Sequence, residues 1–96
     1  MGFVIMLGAK RTAMRTLVID PADNVAVALA DIAATEASEA IPFAHKIAIR
    51  PIAAGEPIVK YGVPIAFAIR DIPAGAWVHE HNAKSYFVAK KEAQGQ

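Results

Sequence analysis

The chain has 96 residues, of which 55% are apolar, 20% are charged and none is cysteine. Its formal net charge of +1 gives no reason to expect nucleic acid or an anionic membrane surface as a partner. Without cysteine there is no disulfide, thiolate metal site or cysteine nucleophile, and we expect a cytoplasmic protein. A chain of this length is expected to fold as one small domain.

The only candidate targeting segment is an apolar run at residues 3–7, whose positive charges follow it instead of preceding it. A secretory signal has the opposite order, and a span of the bilayer needs roughly 20 apolar residues. A strand-like segment begins directly after Met14. We therefore interpret residues 1–13 as a disordered or additional leader, residues 14–88 as the domain, and residues 89–96 as a polar tail.

An internal repeat with a spacing of 20 residues organises the domain. Its three units begin at Val27, Ile47 and Phe67, and each reads as a strand followed by a turn. Three units over about 50 residues are too few for a solenoid with caps. The repeat therefore predicts a compact, wrapped β domain.

Local propensity disagrees at residues 26–40, which are rich in Ala, Glu and Leu and would score as a helix. The sister units carry Pro and Gly at equivalent positions, which a continuous helix would not tolerate. We therefore predict an all-β fold with at most one or two short helical turns, one of them near residues 35–40. Further strands, bounded by Gly or Pro, are predicted at residues 45–49, 57–60, 65–69 and 77–81. Residues 60–64 form the clearest hairpin tip, because Gly62 can take a positive φ.

Histidines supply the first candidate site residues. Strand alternation places His45 on the same face as Ile47 and Ile49, so it is either a packed core histidine or a base, acid or ligand. His79 and His81 share a face with Trp77 if their strand is regular, with Glu80 opposite. Two imidazoles at this spacing can hold a divalent metal. A partly exposed polar strand end is the alternative.

Two lysines are the second set of candidates. Lys46 beside His45, and Lys60 beside Tyr61, are suited to hold an anionic substrate, although solvated strand faces are the usual place for lysine. The equivalent cations Arg50 and Arg70 are predicted to be structural and to bridge to acidic residues, namely Asp31, Glu56 or Asp71. These residues alone do not make a complete catalytic constellation.

The stretch from His45 to Gly62, followed by Val78-His79-Glu80-His81-Asn82, resembles the SAF-type domain of the altronate and galactarate dehydratase family. The resemblance runs from about Met14 to Lys84. It depends on a His-Lys strand, a Lys-Tyr-Gly tip and a His-x-His-Asn end, in that order. Two departures put loop geometry in question: Ala44 stands where the family often has Gly, and Thr35 replaces the turn Gly of the first repeat.

The resemblance implies a small β-clip fold and a role as the small subunit or amino-terminal domain of a sugar-acid hydro-lyase, a carbon–oxygen lyase of carbohydrate catabolism. A large catalytic subunit would be its partner. By motif match, the implied catalytic residues are His45, His79 and His81. The implied substrate-binding residues are Lys46, Lys60, Tyr61 and Asn82. A divalent cation (Fe²⁺, Mn²⁺ or Mg²⁺) would act in the assembled enzyme, held mainly by the large subunit, with His79 and His81 as further candidate ligands.

Two alternatives stay open at this point. A sulfo-lyase for sulfolactate uses the same plan of a small and a large subunit, so the leaving group need not be hydroxide. SAF-type domains also occur as non-catalytic carbohydrate-binding or assembly modules. The sequence leaves open the sugar acid, the metal and the self-association of the isolated chain.

Overall fold

A computed structural model describes residues 15–87 in full and the backbone of residues 3–7 and 10–14. Strands β1 (Phe3–Leu7) and β2 (Lys10–Met14) pair antiparallel in a two-stranded sheet of their own. The interpretation of residues 1–13 as a leader apart from the domain stays a prediction. The predicted polar tail, residues 89–96, lies outside the described residues.

Two antiparallel sheets form the domain, which confirms the all-β prediction. The first has the order β3-β4-β5-β8, with strands Thr16–Leu17, Val25–Ala28, Lys46–Ala48 and Trp77–Val78. The second has the order β6-β7-β9, with strands Pro57–Lys60, Val63–Ala68 and Ala83–Ser85. Residues 34–39 form turns and bends where a helical turn was predicted. No helix among the described residues is long and apolar enough to cross a membrane.

The four-stranded sheet buries side chains on both of its faces. Ile47 of β5 packs on one side with Ala26 and Ile41. Its neighbour Ala48 packs on the other side, in the cluster that contains Ile58 of the second sheet. Because β5 is enclosed on both sides, the residues at its start are held by a rigid strand.

The repeat appears as three equivalent turns. In each, a backbone N–H donates to the carbonyl three residues earlier: Glu36 to Ala33, Glu56 to Ala53 and Ala76 to Pro73, over 2.9, 2.9 and 3.2 Å. The third turn residue has a positive φ in the second and third units, at Gly55 (88°) and Gly75 (85°). The turn around Thr35 keeps the hydrogen bond from Glu36 to Ala33, but Thr35 is not among the described non-glycine residues with positive φ. The first unit therefore changes its turn type to fit a side chain.

The hairpin between β6 and β7 has Lys60 opposite Val63, with Tyr61 and Gly62 at its tip. Gly62 has a φ of 72°, as predicted, and Tyr61 shares the left-handed conformation at 60°. Two consecutive residues of positive φ are typical of the tight hairpin turn that matches strand twist. The buried Asp23 carboxylate accepts the backbone N–H groups of Tyr61 and Gly62, at 3.2 and 2.8 Å. The tip is therefore fixed from a distant part of the chain.

The carboxylates predicted to pair with Arg50 and Arg70 have other partners. Their oxygens accept backbone N–H groups in turns, from Phe43 to Asp31 (2.8 Å), Ala53 to Glu56 (2.6 Å) and Ala54 to Asp71 (2.9 Å). Arg50 Nη1 lies 3.5 Å from the carbonyl oxygen of Asp23. Among the described residues neither arginine forms the predicted bridge. The three carboxylates accept turn N–H groups instead.

Ala44 adopts a φ of 71° in the turn that leads into β5. His45 N–H donates to Pro42 O at 3.1 Å, so Ala44 occupies the third position of a turn that favours Gly there. We expect Ala44→Gly to stabilise the chain by about 1 kcal/mol, because it removes the steric cost of a Cβ in this conformation. Thermal unfolding should show a melting temperature higher by roughly 4–8 °C.

Ala54 provides the matched control for this substitution. It also lies in an exposed turn but is not among the described residues with positive φ. Ala54→Gly is therefore expected to lower the stability by about 0.5–1 kcal/mol, since only the unfolded chain gains freedom. Equal effects of the two substitutions would contradict the backbone argument.

Candidate functional site

The pairing of β5 with β8 brings the predicted histidines together. Lys46 lies opposite Val78 and Ile47 lies opposite Trp77 in this antiparallel pair. One step further in the same register, His45 comes opposite His79, and their ring centroids are 5.1 Å apart. Two segments separated by more than 30 residues in sequence thus meet at one end of the four-stranded sheet.

All three histidines contact the indole of Trp77. The rings of Trp77 and His79 are stacked, with centroids 5.0 Å apart and planes inclined by 16°. His81 lies on the same indole at 5.5 Å, and His45 meets it edge-on at 5.4 Å. Trp77 Nε1–H donates a hydrogen bond to His45 Nδ1 at 3.0 Å. We call these four residues the aromatic cluster.

The strand predicted for residues 77–81 is too long, because β8 ends at Val78 and a turn follows. The side chain of Asn82 shapes this turn: its Oδ1 accepts the His79 N–H at 2.9 Å, and its Nδ2 donates to Trp77 O at 2.8 Å. Asn82 is buried, and its amide is occupied by the backbone. Its role toward a substrate stays a prediction, whereas its observed contacts position the two histidines of the turn.

A cavity of about 250 Å³ lies beside the aromatic cluster. Lys46, His79, Glu80 and Ser85 contribute polar groups to its wall, and the rest is apolar: Ile58, Ile65, Ala66, Val78 and Ala83. Glu80 does not point away from His79 as predicted, because the turn brings its Oε1 to 3.5 Å from His79 Nε2. His79 therefore belongs to both the aromatic cluster and the cavity.

Lys46 is the half-buried cation of this cavity. Burial, and secondly the charge of Lys60, lower the pKa of its ammonium group from the ordinary value. The Lys60 ammonium lies 4.9 Å from the ring centroid of Tyr61, which is a cation–π contact. A bound anion would offset both costs at Lys46, because an opposite charge close by favours the charged form of the ammonium group.

The sequence of the chain matches a known family of domains. The sequence model of the altronate/galactarate dehydratase SAF domain matches residues 14–86. The chain belongs to this family. It is 43% identical over 82 residues to altronate dehydratase of Escherichia coli K12, a match that covers 75% of this chain and 17% of that protein.

Relatives of a second kind appear beside the dehydratases. The chain is 44% identical over 50 residues to (2R)-sulfolactate sulfo-lyase subunit alpha of Chromohalobacter salexigens, which covers 52% of this chain and 53% of the relative. Galactarate dehydratase (L-threo-forming) of E. coli K12 is 44% identical over 45 residues. The chain thus spans less than a fifth of E. coli altronate dehydratase and about half of the sulfo-lyase subunit. Its named relatives are lyases, as the resemblance implied.

The described residues of this SAF domain do not fit a metal centre of their own. No group of three His, Cys, Asp or Glu side chains in that part of the chain could hold a metal ion. His45 Nδ1 already accepts the indole N–H, and His79 is stacked on the indole. His79 and His81 as further ligands of a cation held mainly by another subunit stay a prediction.

Three structural contributors to the site were not predicted. Strand alternation gave Trp77 only as a neighbour on the strand face, although a single tryptophan with an indole N–H to satisfy is a signal in itself. Asp23 and Asn24 hold the hairpin that carries Lys60 and Tyr61. In the sequence, only their position before a strand distinguishes them, and that position does not predict this role. Their partners in the hairpin are more than 30 residues away in sequence.

Replacing Lys46 by methionine is expected to stabilise the isolated chain at neutral pH. In the folded chain the pKa of Lys46 lies below its ordinary value of 10.5, so the folded state binds fewer protons between the two values. Stability of the unmodified chain therefore rises with pH in that window, and the advantage of Lys46→Met should shrink as the pH approaches 10.5. Chemical denaturation at pH 7 and pH 10 measures both effects.

Arg70→Met is the control for the same loss of charge at an exposed position. It is expected to change stability by less than about 0.5 kcal/mol at either pH. A Lys46→Met chain less stable than the unmodified chain at pH 7 would show that the ammonium has a favourable partner in the free domain.

Proposed function

We propose that this chain is the small subunit of a sugar-acid dehydratase and that it completes the active site of a separate large catalytic subunit. The observation that carries the proposal is the gathering of His45, His79 and His81 around Trp77, beside the cavity that Lys46 lines. Proton-transfer groups and a cation for a carboxylate thereby lie at one end of one sheet. In this proposal the enzyme acts in the cytoplasm.

The reaction class matches these groups. A dehydratase removes a proton from the carbon α to the carboxylate, and the C–O bond at the β carbon breaks as the hydroxyl takes up a proton and leaves as water. The resulting enol takes up a proton on carbon to give a 2-keto-3-deoxy acid. The three histidines serve the proton transfers and donate hydrogen bonds to the developing charge, and Lys46, Lys60 and Tyr61 bind the carboxylate end of the substrate.

The exposure of two of the histidines also supports a role for a partner subunit. The His79 side chain is 39% exposed, and His81 is exposed, so water has access to the groups that would move protons. A second subunit seated over this end of the sheet would exclude that water and strengthen the electrostatic interactions inside. A divalent cation, which the family resemblance implies, would take most of its ligands from that subunit.

A sulfolactate sulfo-lyase is the second candidate. The chain covers 53% of one relative named as the alpha subunit of such an enzyme and 67% of another, from Paracoccus pantotrophus. The cited dehydratase relatives are covered to 17% and 9%. In the sulfo-lyase, the C–S bond breaks and sulfite leaves in place of water, with the same carboxylate-binding groups.

The isolated chain is expected to show no lyase activity, because its groups do not complete a path for proton removal and elimination. The test is to assay the purified chain on altronate, galactarate and sulfolactate with Fe²⁺, Mn²⁺ or Mg²⁺, alone and with the large dehydratase chain of the same organism. Keto-acid formation only in the mixture is the expected result. Turnover by the isolated chain would contradict the small-subunit role. If the mixture releases sulfite from sulfolactate but forms no keto acid from altronate or galactarate, the second candidate is favoured.

A further inference from the structure

We propose that Trp77 holds neutral His45 as the tautomer with its proton on Nε2, and that His45 therefore acts as a hydrogen-bond donor through Nε2–H. The reaction in which this donor would act rests on the proposed function, whereas the tautomer does not. Trp77 is in this view a positioning residue.

The hydrogen bond itself decides the tautomer. The indole N–H is a donor only, and a neutral imidazole has one N–H donor and one acceptor nitrogen. The indole nitrogen lies 3.0 Å from His45 Nδ1. The rings meet edge-on, with planes inclined by 63°, so that the indole N–H can reach the in-plane lone pair of Nδ1. A proton on Nδ1 would face the indole N–H, so the neutral ring carries its proton on Nε2.

Trp77 is held so firmly that it can impose this choice. Its backbone pairs with Ile47 in the sheet, and its N–H donates to Glu39 Oε2 at 3.1 Å. Its carbonyl accepts the amide of Asn82 at 2.8 Å, and one indole face stacks on His79. The partner ring is also on a fixed base, because His45 precedes the enclosed strand β5 and its carbonyl accepts the Ala28 N–H at 2.9 Å.

The tautomer limits the chemistry open to His45. A metal ligand through Nε2 would carry its proton on Nδ1 and would need an acceptor there, but the indole offers a donor. Proton abstraction through Nδ1 is blocked by the same bond. What remains is donation from Nε2–H to an oxygen on which negative charge develops, a role that neutral histidine can fill. Within the cluster, proton transfer then falls to His79 and His81.

The first test is the tautomer in the full 96-residue chain. Long-range ¹H–¹⁵N correlation spectra of the ¹⁵N-labelled chain, recorded at pH 8.5 where histidines are ordinarily neutral, distinguish a protonated ring nitrogen from a bare one. We expect His45 to show a bare Nδ1, a protonated Nε2 and a ¹⁵N–¹⁵N coupling across the hydrogen bond to Trp77 Nε1. A protonated Nδ1 in this chain would overturn the proposal.

The second test changes only the donor. Benzothienylalanine at position 77 keeps the shape of the indole but has sulfur in place of the N–H, so the packing with His79 is retained. We expect His45 to change from one tautomer to a mixture while the melting temperature falls by no more than about 8 °C, the effect of losing one hydrogen bond. A single Nε2–H tautomer in this variant would show that Trp77 does not select it.

The assembled enzyme gives the functional readout. With the benzothienylalanine variant, kcat is expected to fall about 10- to 100-fold, as is typical when a group that orients a histidine is lost, with little change in KM. An unchanged kcat in a variant whose tautomers are mixed would remove the donor role of His45. If the unmodified chain yields no active enzyme with any large subunit, the proposed function fails, while the tautomer result stands.

Discussion

Replacement of both His79 and His81 by alanine is expected to lower turnover of the assembled enzyme by at least about 100-fold while leaving the chain folded. Loss of a positioned acid–base group has an effect of that size. Stability should change little, because His79 is 39% exposed in its side chain, His81 is exposed, and neither belongs to a buried apolar cluster. No core cavity forms when they are truncated.

Two measurements made in parallel test this prediction: thermal unfolding of the isolated variant and turnover of the assembled enzyme. The double alanine variant of Glu36 and Ser38 is the control, since it also removes two exposed polar side chains from an irregular segment. The control should retain both stability and activity. A histidine variant that melts early would indicate a structural role for the pair, and one that works at the full rate would exclude them from the mechanism.

Replacement of Asp23 by alanine is expected to lower the free energy of unfolding by about 3 kcal/mol, because it leaves three backbone donors without their acceptor. The buried carboxylate accepts the N–H groups of Asp20 at 3.1 Å, Tyr61 at 3.2 Å and Gly62 at 2.8 Å. The melting temperature should fall by roughly 12–24 °C. The hairpin tip that presents Lys60 and Tyr61 would lose the two hydrogen bonds that join Tyr61 and Gly62 to Asp23.

Asp71→Ala is the matched control for Asp23→Ala. Its exposed carboxylate accepts one N–H, from Ala54 at 2.9 Å, so the expected loss is about 1 kcal/mol or less. Asp23→Asn keeps the shape and one acceptor oxygen and should fall between the two. If the free energy of unfolding of Asp23→Ala lies within about 1 kcal/mol of that of the unmodified chain, water replaces the carboxylate. The hairpin would then not depend on the Asp23 side chain.

Much of the fold was predictable because its signals are local. The spacing of 20 residues, with Pro and Gly after the strands of the second and third units, indicated β structure against the helical composition of residues 26–40. Gly62 marked the hairpin, and its positive φ was confirmed. The left-handed Ala44 and Tyr61 were not predictable from residue type, since only the surrounding contacts hold such residues in that conformation.

The sequence predicted which residue types gather at the candidate site and part of their arrangement on the strands. Alternation placed His45 on the face of Ile47 and opposite Lys46, and the structure has His45 in the aromatic cluster and Lys46 on the cavity wall. The path of the chain after Val78 was predicted incorrectly. A regular strand would have separated His79 from Glu80, but the Asn82 side chain bonds to the backbone and makes a turn instead.

The all-β fold, the repeat and the family follow from local features of the sequence, because strand periodicity, turn residues and motif order are properties of neighbouring positions. The meeting of particular side chains does not follow from such local features. The bond between Trp77 and His45 joins residues 32 positions apart, and the bond between Gly62 and Asp23 joins residues 39 positions apart. Such contacts depend on strand register and sheet order, which no single stretch of sequence encodes.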